Sequence, residues 1–408
     1  MSQSSSLALH GGSPVVNEPL RWAPWPPVSE ATADKLRDVY LSREWSFNSP
    51  MEQQFQRTFA DYHDAEYGIF MANGTVTLQC ALAACGVGAG DEVIVPALTW
   101  MATAMAVHYV GATPVFVDIE PTTLCLDPTE TEAAITPRTR AVIPVHLYGG
   151  MANLDALGEI CKKRDLIMIE DCAHMQGGKW RGKGAGSWGA VGSFSFQQSK
   201  TVASGEGGMC ITSDATLADK IYRIKHIGYN MLAEQGGAKD GPPAGLMCHN
   251  FRATAFQAVI LDDQTQQLAE RIRKYEESAK IIADGLADVP GVRIQQRGAE
   301  ATEQGYYAFC FIFDSEPLAD IPLSTILEAC RAEGLNLGMT YGTVYNHVLY
   351  NMPAESYRIA NANCPVAEHT AAQRTAMFLH YALGADRKTI DTIPKILAKV
   401  AENAQALR

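Results

Sequence analysis

The sequence contains no C-x-x-C pair and no long uninterrupted apolar run, and no Lys/Arg cluster stands out. Its ten cysteines are scattered from Cys80 to Cys364, which argues for reduced, buried thiols and against a disulfide framework or a zinc site. No segment reaches the roughly 18 apolar residues that a membrane helix needs. The opening residues MSQSSSLALHGG lack the basic start and the apolar run of a secretory signal. We therefore expect a cytoplasmic protein with no bound metal and no membrane contact.

Positive charge is scarce over the whole chain. Lysine and arginine number 33 against 45 aspartates and glutamates, so the formal net charge is −12. Proteins that bind nucleic acid need a basic surface to neutralise phosphates, and nucleic acid is therefore not an expected partner. With 408 residues, of which 47% are hydrophobic, the chain is too long for one simple core and predicts about two globular domains.

Short apolar runs alternate with helical patterns over much of the chain. The apolar residues between Leu78 and Cys85, and between Leu154 and Cys161, have helical spacing. Alternation of this kind predicts an α/β fold with a mainly parallel sheet covered by helices on both faces. The predicted strands are residues 67–72, 92–96, 114–118, 141–146, 166–170, 192–196 and 209–212.

We predict three regions along the chain. Residues 1–30, which are rich in Ser, Gly and Pro and contain Trp22 and Trp25, form an irregular N-terminal arm. Residues 31–265 form the large domain. Residues 266–408 form a smaller α+β domain, which opens with a long charged helix and has a strand pattern at 306–313 and a closing helix near 390–400.

A single lysine, Lys200, follows a strand pattern and precedes the glycine-rich turn Gly205-Glu206-Gly207-Gly208. A strand that delivers one lysine to a loop backed by glycines can hold an amine against a flat cofactor. Taken alone, the pattern favours a solvated surface lysine. Its interpretation therefore depends on the residues that follow the neighbouring strands.

The turn Asn73-Gly74-Thr75 lies between a predicted strand and an amphipathic helix. Gly74 allows the backbone to approach an anion, Thr75 supplies a hydroxyl, and the helix N-terminus offers unpaired N–H groups and the positive end of the dipole. These features suit a phosphate. An ordinary helix cap would use the same residues.

Three further side chains are predicted to lie at the same edge of the sheet. Asp171 comes directly after the strand pattern at 166–170, at the end of a strand where open α/β sheets bind ligands. It can pair with a protonated ring nitrogen. His174 can reach another polar group of that ring, and Trp100 can stack on it. The alternatives are a helix cap for Asp171, a packing histidine for His174 and a core aromatic for Trp100.

These ambiguous features have one joint explanation. A phosphate cradle, a carboxylate for a pyridinium, a stacking ring and one lysine all follow strands of one parallel sheet. Together they describe a pyridoxal phosphate site, in which the lysine forms the Schiff base and the aspartate pairs with the ring nitrogen.

The sequence resembles the DegT/StrS-type sugar aminotransferases, which are pyridoxal-phosphate enzymes of the aspartate-aminotransferase fold (fold type I). The resemblance runs from about Gly11 to the C-terminus. The matching motifs are Gly11-Gly12…Pro14, Asn73-Gly74-Thr75, Asp91-Glu92-Val93-Ile94-Val95-Pro96, Glu170-Asp171-Cys172-Ala173-His174, and Ser195-Phe196-Gln197-Gln198-Ser199-Lys200 with Gly205-Glu206-Gly207-Gly208.

The resemblance implies a catalytic role for three residues and a stacking role for a fourth. Lys200 would bind the cofactor as a Schiff base and carry the proton during transamination. Asp171 would hold the ring nitrogen protonated, and His174 would lie near the ring hydroxyl. Trp100 would stack on the ring.

The resemblance also implies how the phosphate is bound. Gly74, Thr75 and Ser195 would hold it within one chain. Asn250 matches an asparagine that family members contribute to the phosphate site of the other subunit. The active unit implied is therefore a homodimer with shared active sites.

Within that family, residues 144–155 and 197–200 look most like the branch that moves the amino group of L-glutamine onto keto-cyclitols in aminocyclitol antibiotic biosynthesis. Its substrates are small molecules. Three alternatives stay open: an aminotransferase of a nucleotide-linked keto-sugar, an aminoshikimate-type dehydratase, and a regulatory homologue that binds pyridoxal phosphate without turnover. The run Gly182-Lys183-Gly184-Ala185-Gly186 does not indicate a nicotinamide site, because it neither follows a clear strand nor opens a helix.

Overall fold

The computed structural model describes residues 6–233, 236–237 and 240–408, so residues 1–5 of the predicted arm lie outside the described residues. In this part of the chain, no helix is long and apolar enough to cross a membrane. The helices are α1 (Glu30–Ser42), α2 (Pro50–Tyr62), α3 (Gly74–Ala84), α4 (Ala102–Tyr109), α5 (Pro128–Ala134), α6 (Leu154–Arg164), α7 (Ala215–Lys225), α8 (Ala255–Gln266), α9 (Leu268–Leu286), α10 (Leu323–Ala332), α11 (Ala372–Arg374) and α12 (Arg387–Glu402).

Within the described residues, the strands form three sheets. They are β1 (Tyr67–Met71), β2 (Glu92–Pro96), β3 (Thr113–Val117), β4 (Thr139–Val142), β5 (Ile167–Asp171), β6 (Lys179–Trp180), β7 (Lys183–Gly184), β8 (Val191–Ser195), β9 (Gly208–Thr212), β10 (Arg293–Ile294), β11 (Ala301–Glu303), β12 (Ala308–Ile312), β13 (Gly338–Met339), β14 (Arg358–Ile359) and β15 (Thr375–Leu379).

The main sheet has eight strands in the order β1-β9-β8-β5-β4-β2-β3-β14. β9 is antiparallel to both of its neighbours, and every other neighbouring pair is parallel. The predicted mainly parallel sheet is therefore confirmed. β2 and β8 are buried at every residue, as expected for central strands with covered faces.

The predicted strand at 141–146 is wrong after its second residue, because β4 ends at Val142. Beyond it Val145 keeps only an isolated bridge to Asp171, and Tyr148 takes a left-handed backbone conformation with φ 62°. The apolar run continues past the strand because these residues stay buried. The chain instead turns over the end of β5, where the candidate site lies.

A second hydrophobic cluster surrounds the antiparallel sheet β10-β12-β15-β13. Helix α9 connects it to the first cluster, since Leu268 and Ile272 belong to the first and Tyr275 and Ile282 to the second. Strand β14, although late in the chain, pairs with β3 of the main sheet. The bounds 31–265 and 266–408 stay a prediction.

Candidate active site

A cavity of about 650 Å³ lies at the carboxyl ends of the parallel strands of the main sheet. Seven of the eight residues predicted for the site line it: Gly74, Thr75, Trp100, Asp171, His174, Ser195 and Lys200. The eighth, Asn250, is not among the lining residues. It is exposed and forms an isolated bridge with His226.

The N-terminus of α3 approaches the end of β8 unusually closely at one wall of the cavity. A Cβ on Gly74 would lie 2.6 Å from the Cβ of Ser195, so a larger residue would push the helix away from the strand. Asn73 caps the helix, and its Oδ1 accepts hydrogen bonds from the N–H groups of Thr75 and Val76, both at 3.1 Å. The cap that sequence reasoning kept as an alternative is thus present. The helix still directs its positive end and the Thr75 side chain towards the cavity wall.

Asp171 is the buried carboxylate at the end of β5. Its Oδ2 accepts a hydrogen bond from Thr103 Oγ1 at 2.8 Å, and its Oδ1 accepts one from the N–H of Ala173 at 3.1 Å. Burial raises the pKa of Asp171, and these two hydrogen bonds and the charge of Lys200 only partly oppose the rise. A carboxylate in this setting is stabilised by an adjacent cation.

The residue before it, Glu170, is fully buried and connects the end of β5 to the backbone of residues 186–189. Its carboxylate accepts hydrogen bonds from the N–H groups of Gly186, Trp188 and Gly189 at 2.7–2.8 Å. It also pairs with Nε2 of His146 at 3.1 Å. Burial raises the pKa of Glu170, but these hydrogen bonds outweigh it and the net pKa is lowered.

His146, Glu170 and Cys172 place three ligand atoms within 4.8 Å of one another, which is close enough for a metal ion. The hydrogen bonds do not suit one. Nδ1 of His146 accepts from the N–H of Ala152, so the ring proton lies on Nε2 and is donated to Glu170. Glu170 then accepts four hydrogen bonds, which use its four lone-pair positions.

Replacing Glu170 with glutamine should lower the free energy of unfolding by about 3 kcal/mol or more, because an amide –NH₂ would face buried N–H donors. The contribution of the carboxylate is present above its ordinary pKa of 4.5 and is lost as the pH falls through its lowered folded-state pKa. Urea unfolding at pH 7 and at pH 4 measures both effects.

The matched control for this substitution is Glu132→Gln. Glu132 makes surface ion pairs with Lys163 and Arg164, and such pairs contribute little. Equal stability losses in the two variants would contradict a structural role for the buried carboxylate.

His174 is buried, and its Nδ1 accepts a hydrogen bond from the N–H of Tyr148 at 3.2 Å. Its proton must therefore lie on Nε2. Burial, together with the charge of Lys200, holds the pKa of His174 well below its usual value, so the ring is a neutral donor. Tyr307 stacks on it, with ring centroids 3.7 Å apart and planes 12° from parallel.

Lys200 lies in the turn after β8, with Nζ 4.4 Å from the centroid of the Tyr307 ring. Burial lowers the pKa of Lys200 to about 8, and the carboxylate of Asp171 opposes the shift. The amine is therefore partly neutral near pH 8, and a neutral amine is what nucleophilic attack and proton transfer require.

Four residues of the site were missed by sequence reasoning: Thr103, Tyr148, Tyr307 and Tyr341. Tyr148 connects the other two tyrosines, since its carbonyl oxygen accepts from the N–H of Tyr307 at 2.6 Å and its hydroxyl accepts from the N–H of Tyr341 at 2.8 Å. Residues 144–155, which contain Tyr148, resemble one branch of the family, but that resemblance gives Tyr148 no role in the site. Tyr341 carries no sequence signal, because it reaches the cavity only through the tertiary fold.

Comparison with known proteins agrees with this geometry. The L-glutamine:2-deoxy-scyllo-inosose aminotransferase of Micromonospora echinospora is 36% identical over 421 residues, covering 98% of this chain and 99% of that protein. The crystal structure of 3-amino-5-hydroxybenzoic acid (AHBA) synthase has a TM-score of 0.84 at 27% identity, covering 96% of this chain and 100% of that one. The aminotransferase from Psychrobacter cryohalolentis has a TM-score of 0.85 at 28% identity, covering 94% and 100%.

These likenesses confirm the predicted aspartate-aminotransferase-like α/β fold. The sequence profile of one family, described as the DegT/DnrJ/EryC1/StrS aminotransferase family, matches residues 27–397. Because the match spans most of the chain, this protein belongs to the DegT/DnrJ/EryC1/StrS aminotransferase family.

Proposed function

We propose that this protein is a pyridoxal-phosphate-dependent aminotransferase that moves the amino group of L-glutamine onto a keto-cyclitol. Family membership supports the reaction. The relative from Micromonospora echinospora, which is named for glutamine and a deoxy-inosose, supports both substrates because it aligns over nearly the whole length of both chains. The observation that carries the proposal is the cavity itself, in which one amine and one buried carboxylate lie beside a helix N-terminus.

The residues of the cavity fit the phosphate of the cofactor. The close approach of Gly74 to Ser195, which a Cβ would prevent, brings the start of α3 and the Ser195 side chain to one wall. A helix N-terminus with nearby hydroxyls is suited to a phosphate, and we assign Gly74, Thr75 and Ser195 to it.

The other end of the cavity fits the ring. Asp171 would accept a hydrogen bond from the protonated ring nitrogen, and Thr103 and Ala173 hold its carboxylate in place. His174 would donate from Nε2 to the ring hydroxyl. Trp100 is 43% exposed and lines the cavity, so its face is available for stacking.

Lys200 is assigned the covalent and proton-transfer roles. Bound pyridoxal phosphate supplies an electron sink for the bonds at the substrate carbon. Lys200 accepts and returns the proton at that carbon, and its pKa of about 8 makes both directions accessible. The ring of Tyr307 lies beneath the amine and limits the positions it can take.

The charge of the cavity favours a neutral acceptor. Among the described residues that line the cavity, Lys200 is the one lysine and there is no arginine, whereas Asp171 and Glu206 carry carboxylates. A nucleotide-linked sugar brings a diphosphate, which is normally bound by arginine and lysine. A keto-cyclitol is uncharged and matches the hydroxyl and amide groups of Thr99, Ser199 and Gln197.

The test is to load the protein with pyridoxamine phosphate and mix it with separate ketones. We expect scyllo-inosose or 2-deoxy-scyllo-inosose to return the absorbance to that of the pyridoxal form, and nucleotide-linked keto-sugars to have no effect. A return only with nucleotide-linked sugars would contradict the acceptor. Loss of water from an aminoshikimate-type substrate without amino transfer would favour the dehydratase, and bound cofactor without any turnover would favour the regulatory homologue.

The proposal includes a homodimer in which Asn250 reaches the phosphate of the partner subunit. Asn250 is exposed and is not among the residues that line the cavity of its own chain. Large apolar side chains near it are also exposed, since Ile227 is 55%, Leu232 is 95% and Met247 is 73% accessible. Exposed apolar groups of this kind favour a protein interface.

Replacing Asn250 with alanine should weaken pyridoxal phosphate binding by about tenfold or more, because a hydrogen bond to a charged group contributes roughly 1.5–3 kcal/mol. Equilibrium dialysis with the cofactor measures the change. Asn361→Ala is the control, since Asn361 is exposed and bonds only to Glu130 among the described residues.

A mixed dimer distinguishes a shared site from a single-chain site. One chain carries Lys200→Ala, the other Asn250→Ala, and the cofactor is kept at a concentration that leaves the Asn250→Ala homodimer largely empty. If the two residues of a site come from different chains, one site has both defects and the other is intact. About half of the wild-type activity should remain. Activity near zero would refute the shared site.

A further inference from the structure

Among the described residues, three side chains from remote parts of the chain bind the carbonyl groups of residues 198, 199 and 201, next to Lys200. Nε1 of Trp25 donates to the carbonyl oxygen of Gln198 at 3.0 Å. Nε2 of His380 lies 3.1 Å from the carbonyl oxygen of Ser199. Nη1 of Arg271 donates to the carbonyl oxygen of Thr201 at 2.8 Å. The carbonyl groups on both sides of the lysine are therefore satisfied by donors from remote parts of the chain.

The hydrogen bonds of His380 fix its tautomer. A carbonyl oxygen can only accept, so Nε2 must carry the proton. Nδ1 is then an acceptor for the hydroxyl of Tyr275, which lies 3.1 Å away. His380 is fully buried, and burial lowers its pKa to about 3. The ring is therefore a neutral donor with one fixed direction.

The three donors also contact one another. The rings of Trp25 and His380 meet edge to face, with centroids 4.4 Å apart, and the guanidinium of Arg271 lies 5.1 Å from the centroid of the Trp25 ring. The ion pairs found among the described residues do not include Arg271. Its charge is thus directed to the loop and to the indole face rather than to a carboxylate.

The donors come from three separate regions: the N-terminal arm, the first turn of α9, and the turn that follows β15. The loop itself has no regular secondary structure between β8 and β9. An irregular loop without such bonds would sample many backbone conformations, and the amine at its centre would move with it.

We propose that Trp25, His380 and Arg271 are positioning residues that form a carbonyl clamp, which holds the backbone of Lys200 so that its amine stays next to the ring of Tyr307. This inference rests on the proposed role of Lys200. The clamp explains why an arm of the chain lies against the back of the catalytic loop. It makes the reactivity of the amine depend on residues that do not touch the cofactor or the substrate.

The first test compares Trp25→Phe with Trp22→Phe. Both substitutions keep an aromatic ring, but only the first removes a donor of the clamp, since Trp22 contacts Phe378 through its ring. The cofactor is removed, and the rate at which Lys200 captures added pyridoxal phosphate is measured against pH. In the wild type, the midpoint of the pH dependence of the capture rate should lie near the Lys200 pKa of about 8. Capture should be faster at higher pH because the free amine reacts.

In Trp25→Phe the midpoint should rise by about one pH unit, because a looser loop exposes the amine to water, and capture at pH 7.5 should slow by roughly tenfold. The kcat of the reloaded enzyme should fall while KM for glutamine changes little. Trp22→Phe should match the wild type. Equal midpoints in all three proteins would overturn the clamp, whereas failure of wild-type Lys200 to capture the cofactor would instead overturn the proposed function.

A second pair tests the clamp at His380. Glutamine keeps an N–H donor for the carbonyl oxygen of Ser199, whereas methionine has a similar size and no donor. The pH midpoint of cofactor capture should stay near the wild-type value in His380→Gln and should lie about one pH unit higher in His380→Met. Identical midpoints for the two variants would overturn the inference, because a purely structural role would depend on size and not on the donor.

Discussion

Replacing Lys200 with alanine should abolish amino-group transfer while leaving the fold intact. Lys200 lies in a turn that is bound by its backbone, and its side chain contacts the ring of Tyr307, so truncation removes little packing. The loss of proton transfer alone lowers the rate by about 10² to 10⁴, and the covalent attachment is lost as well. Single-turnover mixing with glutamine measures the rate.

The covalent attachment can be measured separately from turnover. Borohydride reduction of the wild type should add one cofactor mass to the peptide that contains Lys200, and the variant should gain none. Lys183→Ala is the control, because the amine of Lys183 is engaged with the carbonyl oxygen of Ser187 away from the cavity. A cofactor adduct that persisted in Lys200→Ala and vanished in Lys183→Ala would contradict the attachment at Lys200.

The fold could be predicted where local pattern and tertiary burial agree. The run at 92–96 became β2 without change, because a central parallel strand is buried on both faces and is a nearly continuous apolar run. The run at 141–146 was misread for the same reason. Residues 143–146 stay buried and keep isolated hydrogen bonds to Ile94 of β2 and Asp171 of β5, but the regular strand ends at Val142. Hydrophobicity alone does not distinguish a regular strand from such a segment.

The site could be predicted only as far as it follows strand ends. Asp171 is the last residue of β5 and Lys200 follows β8, and these two parallel strands end at one edge of the sheet. Tyr307 and Tyr341 come from the later part of the chain, and Tyr148 binds the first through its carbonyl oxygen and the second through its hydroxyl. No periodicity in the sequence encodes that contact. Asn250 is not among the residues that line the cavity of its own chain, so the phosphate role proposed for it requires a second chain.

The hydrogen bonds around Lys200 show the same limit. Trp25 lies 175 positions before the lysine and His380 lies 180 positions after it, yet both bind the same loop. The sequence marks Trp25 only as an aromatic in a proline-rich arm. Its donor role depends on the approach of the arm to the turn after β15, which is a property of the tertiary structure.

Replacing Asp171 with asparagine should lower the rate of the half-reaction with glutamine by roughly 10² to 10³ and leave the fold intact. Asp171 can hold a proton on the ring nitrogen only while it is charged. Leaving a buried cation without its partner costs about 3–5 kcal/mol, which would lower the pKa of the ring nitrogen by about two to four pH units. Stopped-flow absorbance with glutamine measures the half-reaction directly.

The hydrogen bonds of Asp171 explain why the fold should survive. The Oδ1 of asparagine can still accept from the N–H of Ala173, and its –NH₂ group can donate to Thr103 Oγ1 if that hydroxyl turns to Thr99 Oγ1, which lies 3.2 Å away. The variant therefore keeps its hydrogen bonds and loses only the charge. Urea unfolding should give a free energy close to that of the wild type.

Asp155→Asn is the matched control for the loss of one negative charge, because Asp155 pairs with Arg181 at the surface and such pairs contribute little. Its half-reaction rate should stay within about twofold of the wild type. Raising the pH should not restore the half-reaction rate of Asp171→Asn, since the ring nitrogen holds its proton less well at higher pH. Lowering the pH should recover part of the rate until the Lys200 amine is fully protonated. A half-reaction rate in Asp171→Asn equal to that of Asp155→Asn would remove Asp171 from the mechanism.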